Sequence, residues 1–337
     1  FFFDNLSSFF VYLIFANMTL LRKMLLSGVV AGTTSYILTP PRAVVGGPND
    51  SLLDIYPLNG TCKLSTGSII RTPFHAFASG HIIGGSVDYN GTDALVDKMT
   101  NGKERLAKTT DGKGIGHIVL FNYQPETQYG SYKEALLCVL VGDDVPQSPT
   151  TDPFAYIAAL MTPYKQPRLL LLKCWLENVP DSTAMGREVM GIDKVNTHFR
   201  YNVSADSTTH FAADGVLSAT ISNHSKPSIA MIRDTFNAAW SLGPSNFIYS
   251  LAQPYTRYSY IYPVGISKRF QGYCPQSEIV SVNSLETTIG AWAPEAGDNL
   301  VMGGKTSGAE LFNILQFKPQ VVVTFPIARY VSTNSIC

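Results

Sequence analysis

Long apolar runs alternate with polar, glycine-rich breaks along this chain, a pattern typical of a protein built mainly of strands. Segments at 93–99, 155–161 and 228–240 instead show helical spacing or capping residues, and Thr92 or Asp93 is the predicted cap of the first. The predicted strands cover residues 77–87, 115–123, 136–141, 169–176, 197–204, 210–212, 215–222, 258–266, 278–282 and 320–331. The pattern therefore predicts a mainly β, α+β fold with a few helices.

The first 40 residues have a different character from the rest of the chain. The basic pair Arg22 and Lys23 precedes an apolar run at 24–31 and then small residues, as in a secretory signal peptide. That run is too short for a membrane-spanning helix, and the alternative of a longer anchor that includes 9–16 is interrupted by the basic pair. We therefore predict a leader at 1–40, a single domain at 41–337, and secretion with no membrane partner for the mature protein. Residues 45–75 are predicted to form an extended arm or loop.

Five tripeptides match the acceptor pattern for N-linked glycosylation. They begin at Asn49, Asn59, Asn90, Asn202 and Asn223. Such tripeptides arise by chance in any chain rich in Asn and Thr, so they predict glycosylation only in combination with the leader.

Composition limits the classes of partner. At 45% apolar and 15% charged residues, the chain can bury a sizeable core, and its formal net charge is zero. This balance gives no electrostatic case for nucleic acid or an anionic membrane as the partner. Of the five cysteines, Cys138 and Cys174 lie inside apolar runs and are predicted to be buried thiols.

Several familiar motifs are missing or incomplete. The segment Gly303–Thr306 resembles the end of a phosphate loop, but Asn299 stands where the full pattern needs glycine. The six histidines and five cysteines show no metal-ligand spacing, and no Gly-x-Ser-x-Gly elbow is present. The glycines at 112–116 predict a hairpin turn. We expect no cofactor and no metal.

The strongest chemical signal is a lysine beside a glycine-marked bend. Residues 186–190 are predicted to form a short strand, Gly191 a bend, and Lys194 follows among apolar residues. Because burial disfavours the charged ammonium, a lysine that points inward here would have a lowered pKa and act as a nucleophile. That is the chemistry of a Schiff-base lysine.

At these residues the chain resembles the acetoacetate decarboxylase family. The match keeps Gly186, Arg187, Glu188, Gly191 and Lys194, and Tyr132-Lys133-Glu134 is similar to a tyrosine-x-glutamate element of the same family. The chain departs from the family at two positions. It has Asp193 in place of a proline and Val195 in place of a second lysine.

The resemblance implies a closed, cone-like antiparallel β-barrel with a few peripheral helices and an apolar central cavity. Lys194 takes the position of the imine-forming lysine, and Glu134 that of a cavity-facing acid or base. Arg187, Tyr89 and His198 are the candidate substrate-binding residues, Tyr89 because it and Asn90 stand where the family has an arginine. If 186–190 is a strand, Arg187 and its neighbour Glu188 point to opposite sides, so one of them is expected to be structural.

Three functional hypotheses follow. The first is a lyase that forms a Schiff base through Lys194 with a keto acid or another carbonyl compound and performs decarboxylation or aldol-type chemistry. The second is a secreted protein that binds a small carbonyl or apolar ligand on the same barrel and has lost the chemistry. The third is dehydration or cyclisation of a bulkier substrate. A homo-oligomer is expected in each case.

Overall fold

The computed structural model describes residues 60–72, 74–142, 144, 168–223, 255–265, 272–273, 276–282, 288–292 and 297–332. The predicted leader and the predicted helices at 155–161 and 228–240 lie outside these residues, as do Asn49 and Asn59.

Strands dominate the part of the chain that is described. The first eight are β1 (Gly60–Lys63), β2 (Ile69–Thr72), β3 (Phe74–Val87), β4 (Gly114–Tyr123), β5 (Lys133–Val141), β6 (Arg168–Leu176), β7 (Lys194–Asn196) and β8 (Phe199–Val203). The next eight are β9 (Thr209–Ala213), β10 (Leu217–Ile221), β11 (Tyr255–Gly265), β12 (Gly272–Tyr273), β13 (Gln276–Val282), β14 (Thr288–Ala291), β15 (Asn299–Met302) and β16 (Lys318–Ser332). The helices are α1 (Tyr89–Thr100), α2 (Pro180–Glu188) and α3 (Leu311–Leu315). The mainly β prediction with a few helices is confirmed.

Most strands belong to one large sheet. Its order is β12-β11-β13-β16-β3-β4-β5-β6-β7, and β14 also pairs with β16. The pairs from β3 to β6 are antiparallel, whereas β7 joins β6 in parallel. A second parallel pairing connects β11 to β6. The remaining strands form a hairpin, β1-β2, within the predicted arm and a four-stranded sheet, β15-β10-β9-β8.

The two faces of the large sheet carry two different apolar clusters. Neighbouring residues of one strand belong to opposite clusters, as Leu136 and Leu137 do in β5. This follows from the two-residue period of a strand. The inner cluster, as we call it, contains Tyr123, Tyr132 and Cys174. The outer cluster contains Trp175 and the buried residues of the four-stranded sheet.

The predicted strand at 186–190 is wrong, because its first three residues end helix α2. Pro180 at the first turn and Asp181 behind it are start signals for a helix, since a proline there loses no hydrogen bond and an acidic group favours the positive end of the dipole. The bend is confirmed at Gly191, whose φ is 70°. Strand β7 then begins at Lys194.

The helix predicted at 93–99 is longer than expected and has a different cap. Helix α1 begins at Tyr89, and the Asp88 carboxylate accepts a hydrogen bond from the Gly91 amide at 2.9 Å. The Asp93 carboxylate instead accepts hydrogen bonds from Arg105 and from the Leu106 amide. Asp93 therefore anchors the segment that follows the helix.

The two glycine-rich segments are turns. Gly112 has a φ of 76° and donates its amide to the Thr109 carbonyl, which confirms the predicted turn before β4. Gly304 packs so closely on the Gly215 carbonyl that a Cβ there would lie 2.2 Å from the oxygen. The strand before it, β15, is antiparallel to its neighbour β10, unlike a phosphate loop's strand. No described helix has the length and apolarity to cross a membrane.

Candidate functional site

Lys194 is held at the first residue of β7 with its side chain buried. The backbone of β7 lies parallel to β6, with Lys194 opposite Cys174, so both side chains lie on the face of the inner cluster. Arg187 fixes this position from the exposed side, because its Nε donates to the Lys194 carbonyl oxygen at 2.9 Å and its Nη2 at 2.5 Å. The bend after α2 is thereby tied to the strand that carries the lysine.

Gly186 makes room for the lysine side chain. A Cβ at this position would lie 2.3 Å from Lys194 Cε and 2.4 Å from Cδ. The side chain of Lys194 therefore runs directly across the glycine on the last turn of α2. Glu188, two residues on, accepts hydrogen bonds from the Ser65 amide and hydroxyl, which attaches the end of α2 to the β1-β2 hairpin. Each member of the Gly-Arg-Glu triplet has a structural task around Lys194.

The amine of Lys194 forms a buried ion pair with Glu134. Nζ lies 2.9 Å from Glu134 Oε1, and the side chains are 6% and 4% exposed. Glu134 is the second residue of β5 and lies opposite Leu176 of β6, on the inner face. The structure therefore brings together the two residues that the sequence predicts as catalytic.

Two further side chains hold the Glu134 carboxylate. The Tyr123 hydroxyl donates to Oε2 at 2.6 Å, and the Cys174 thiol donates to Oε1 at 2.9 Å. All three strands from β4 to β6 thus contribute one group to the cluster. These hydrogen bonds and the ion pair with Lys194 fix the orientation of the Glu134 carboxylate beside the amine.

The pKa of Lys194 is raised, not lowered as the sequence suggests. Burial is the largest single influence and lowers this pKa, but the Glu134 carboxylate, together with Cys174 and Tyr132, acts in the opposite direction and brings the pKa above the ordinary value of 10.5. The expectation of an uncharged resting amine is therefore wrong, because it counted burial and omitted the partner. Burial is also the main reason why the pKa of the Cys174 thiol is raised well above its usual range, and the Glu134 carboxylate is the second reason, so the thiol is neutral.

A second set of polar groups surrounds this pair. The Ser182 hydroxyl of α2 lies 3.4 Å from Lys194 Nζ and is buried. The Tyr132 ring stacks on the Tyr123 ring with centroids 4.2 Å apart, and the Tyr129 ring stacks on Phe74 at 5.3 Å. Burial is the main reason why the pKa values of both Tyr129 and Tyr132 are raised, so both remain neutral donors.

The candidate substrate-binding residues do not join this cluster. Arg187 is exposed and bound to a backbone carbonyl. Tyr89 packs against the outer cluster, with Lys108 Nζ 4.8 Å from its ring centroid. His198 is exposed, with Nδ1 3.1 Å from the Asp214 carboxylate, which also accepts from Arg200. Only Lys194 and Glu134 of the five candidates meet on the inner face.

Other expectations concern modification, metals and thiols. Asn90, Asn202 and Asn223 are exposed, and no finding tests their glycosylation. Cys138 and Cys174 are buried, as predicted. Within the described ranges, no group of three His, Cys, Asp or Glu side chains is placed to hold a metal ion.

Sequence reasoning missed four groups of the site: Tyr123, Cys174, Ser182 and Tyr129. Strand alternation carries a signal for the first two, because residues of the same parity as Glu134 and Lys194 on paired strands share a face. Ser182 had no such signal, since it lies on α2, upstream of the segment taken for a strand. Tyr129 lies in the connection between β4 and β5.

Comparisons with solved structures find similar proteins at low sequence identity. Acetoacetate decarboxylase from Legionella pneumophila is similar at 11% identity and a TM-score of 0.45, covering 78% of this chain and 87% of that one. Another acetoacetate decarboxylase structure is similar at 15% identity and a TM-score of 0.46, covering 79% of this chain and 88% of that one. The enduracididine biosynthesis enzyme MppR is similar at 12% identity and a TM-score of 0.43, covering 87% of this chain and 96% of that one. MppR has also been solved in complex with pyruvate.

No family model and no curated protein sequence matches the chain. The similar structures are those of acetoacetate decarboxylase and similar enzymes, the family that the sequence resembles. Scores below 0.5 carry no inference about function, which has to come from the site itself.

Proposed function

We propose that this protein is an acetoacetate decarboxylase-like lyase that forms a Schiff base through Lys194 with a carbonyl compound. The observation that carries the proposal is a buried lysine amine 2.9 Å from a buried carboxylate, with a glycine that leaves space for the lysine chain. A structural ion pair rarely needs such burial, because removing two charges from water costs more than their attraction returns unless further hydrogen bonds compensate.

The ion pair can supply a nucleophile without changing its total charge. Transfer of one proton from Lys194 to Glu134 gives a neutral amine beside a neutral carboxylic acid, a form that burial favours over two charges. The amine nitrogen then adds to the carbonyl carbon, and the acid returns its proton to the carbonyl oxygen. A second proton passes by the same route, water leaves, and an iminium remains beside the Glu134 carboxylate. The site begins and ends with one positive and one negative charge.

The iminium then accepts the electron pair of the carbon–carbon bond that breaks. Loss of carbon dioxide from a keto acid carboxylate leaves a neutral enamine on Lys194, and so does a retro-aldol step in which the hydroxyl proton passes to the Glu134 carboxylate as the carbonyl fragment leaves. The enamine carbon then takes up a proton, from Glu134 after the retro-aldol step or from water after decarboxylation, and addition of water to the iminium releases the ketone. Tyr123 and Cys174 act as positioning residues, because they hold the Glu134 oxygens beside the amine through both proton transfers.

The closed, cone-like barrel is part of the same proposal. The parallel pairing of Ile261–Pro263 with Leu169–Leu171 supports it, because this pairing connects β11 to β6 and makes the chain of paired strands return on itself. In such a barrel the inner cluster would line the interior, which is where a ligand would reach Lys194. The proposed partner is a small carbonyl compound.

Borohydride trapping tests the proposal. The full chain is incubated with a panel of keto acids, ketones and aldehydes, reduced with borohydride, digested and mapped by mass spectrometry. The expected result is a secondary amine at Lys194, which adds the mass of the carbonyl compound less one oxygen atom. Lys194→Met should abolish the adduct, and Lys173→Met, a matched removal of another buried lysine, should retain it.

Two outcomes count against the enzyme. Adducts spread over exposed lysines, with none at Lys194, would contradict the Schiff-base step. Retention of a ligand whose affinity is unchanged by Lys194→Met, without turnover, would favour the binding protein. Secretion, glycosylation at the five asparagines and homo-oligomer formation remain proposals with tests of their own: a leader-cleavage assay, a glycosidase shift and the mass in solution.

A further inference from the structure

Within the described residues, two buried tyrosine hydroxyls of the inner cluster donate no hydrogen bond. The hydroxyl oxygens of Tyr129 and Tyr132 are inaccessible to solvent, and neither makes a hydrogen bond of ordinary geometry within the described residues. Ser182 interacts with Tyr132 as a donor, which acts to lower the pKa of the phenol against burial and leaves the phenol O–H itself without an acceptor in the described part of the chain. A buried hydroxyl without a partner is costly, so its occurrence calls for a physical reason.

Stacking sets the positions of the two rings within the inner cluster, which also contains Tyr123 and Cys174 of the site. Tyr132 precedes β5 by one residue, so it lies two residues before Glu134 in the chain, and its ring is stacked on Tyr123, the donor to Glu134. Tyr129 packs against the same inner cluster, stacked on Phe74. Lys194 acts electrostatically on both phenols. The two unpaired donors and the ion pair therefore belong to one buried group.

We propose that the Tyr129 and Tyr132 hydroxyls donate hydrogen bonds to a second oxygen atom of the ligand, and that the ligand is an uncharged carbonyl compound rather than a keto acid. This inference rests on the function proposed above and specifies its substrate class. A phenol hydroxyl is a neutral donor that suits a ketone or hydroxyl oxygen. The surrounding rings provide an apolar environment for the body of the molecule.

Charge balance decides between the two ligand classes. Glu134 already compensates the charge of Lys194 at 2.9 Å. A ligand carboxylate would place a second negative charge in the same buried cluster, where Glu134 would repel it and the desolvation would be uncompensated. A neutral second oxygen avoids both costs and satisfies the two phenols.

The test uses two probes that differ only at one end. In 2,4-pentanedione a methyl ketone stands where acetoacetate has its carboxylate. The concentration that gives half-maximal modification of Lys194 is measured for both, by borohydride trapping for acetoacetate and by the mass of the intact adduct for the dione, whose conjugated enaminone borohydride does not reduce. In the unmodified chain we expect a value about tenfold lower for the dione. Tyr129→Phe and Tyr132→Phe should each raise the value for the dione by about fivefold, because each keeps its ring and loses one donor.

Tyr201→Phe is the matched control. Tyr201 packs against the outer cluster, so removal of its hydroxyl should leave modification by both probes unchanged. Thermal unfolding of all variants checks that they are folded. Equal modification by the dione in the two site variants and the control would overturn the role of the hydroxyls. Equal or stronger modification by acetoacetate would overturn the uncharged class.

A separate measurement distinguishes this inference from the proposed function. Binding of 2,4-pentanedione is followed by ligand-detected NMR without borohydride, in Lys194→Met alone and combined with Tyr132→Phe. Binding that Tyr132→Phe weakens about fivefold supports the hydroxyls even if the unmodified chain forms no imine. Binding that is absent, or unaffected by Tyr132→Phe, overturns the inference, whereas an adduct at Lys194 would still support the Schiff base.

Discussion

Two buried lysines on adjacent strands, Lys194 of β7 and Lys173 of β6, follow the same structural plan and differ in one respect. Each runs across a glycine that has no space for a Cβ, Gly186 for the first and Gly308 for the second. Each forms an ion pair with a carboxylate, Lys194 with Glu134 and Lys173 with Asp193. The difference lies in the carboxylate, since the side chain of Glu134 is 4% exposed and that of Asp193 is 39% exposed.

The exposure of the partner decides what each pair can do. Water can solvate Asp193, so the ion pair of Lys173 behaves as an anchor between two adjacent strands. Glu134 has Tyr123 and Cys174 in place of water, and its proton exchange with Lys194 is limited to the pair and its ligand. Burial of a lysine therefore does not by itself indicate chemistry. Burial of both partners in one cluster of donors is the more specific sign.

The largest effect should come from filling the space beside each lysine. Gly186→Ala places a methyl group 2.3 Å from Lys194 Cε, so the amine must move. A displacement of about 1 Å in a reacting group costs about 100-fold in rate, and we expect a loss of trapping at Lys194 of that order. Gly308→Ala, at a φ of 90°, should leave trapping intact and lower the free energy of unfolding by about 1–3 kcal/mol.

Rates of adduct formation and denaturant unfolding measure both consequences. Alanine is the better helix former, so Gly186→Ala by itself should not unfold α2. Trapping by Gly186→Ala at the rate of the unmodified chain would show that the amine need not occupy its present position. The contrast between the two lysines would then lose its functional meaning.

A smaller effect on trapping should follow from neutralising each carboxylate in turn. The Glu134 carboxylate is the largest of the influences that raise the pKa of Lys194 against burial. In Glu134→Gln only burial and the neutral neighbours remain, so this pKa should fall below 10.5. The rate of imine trapping in the unmodified chain should change little with pH up to about 10, because the proton moves within the pair, whereas in Glu134→Gln it should rise with pH and level off once the amine has lost its proton to water.

Turnover and the control variant separate charge from catalysis. If Glu134 transfers protons, Glu134→Gln should lose about 100-fold or more in turnover although more of its amine is uncharged. Asp193→Asn should leave the pH profile of trapping unchanged, because Asp193 pairs with Lys173. An unchanged profile in Glu134→Gln would show that another group sets the charge of Lys194.

The sequence was sufficient for the pair but not for its surroundings. Lys194 and Glu134 were found through local motifs, and the apolar runs predicted most strands of the large sheet within a few residues. Tyr123 and Cys174 are 11 and 40 positions from Glu134 in the chain, and only the pairing of β4, β5 and β6 brings them to its oxygens. The sign of the pKa change at Lys194 could not be predicted without that partner.

Two errors share one physical origin. The apolar residues near Gly191 led to a predicted strand, although Pro180 and Asp181 mark the start of a helix. Proximity in the sequence likewise suggested His198 as a neighbour of Lys194, yet its side chain is 70% exposed. In both cases a single local feature was used alone, the apolar residues in the first and the spacing of four residues in the second.

The smallest effect should come from removing the hydrogen bond between Tyr123 and Glu134, which has no counterpart at the Lys173–Asp193 pair among the described residues. The Tyr123 hydroxyl donates to Glu134 Oε2 at 2.6 Å, and Tyr123→Phe removes this bond while the ring can still stack on Tyr132. A hydrogen bond to a charged acceptor contributes about 1.5–3 kcal/mol, so the free energy of unfolding should fall by about that amount. Turnover should fall about tenfold, since Glu134 would keep the Cys174 thiol and Lys194 on one oxygen and lose its only described donor on the other. Full turnover in a folded Tyr123→Phe variant would mean that Lys194 and Cys174 suffice to orient the carboxylate.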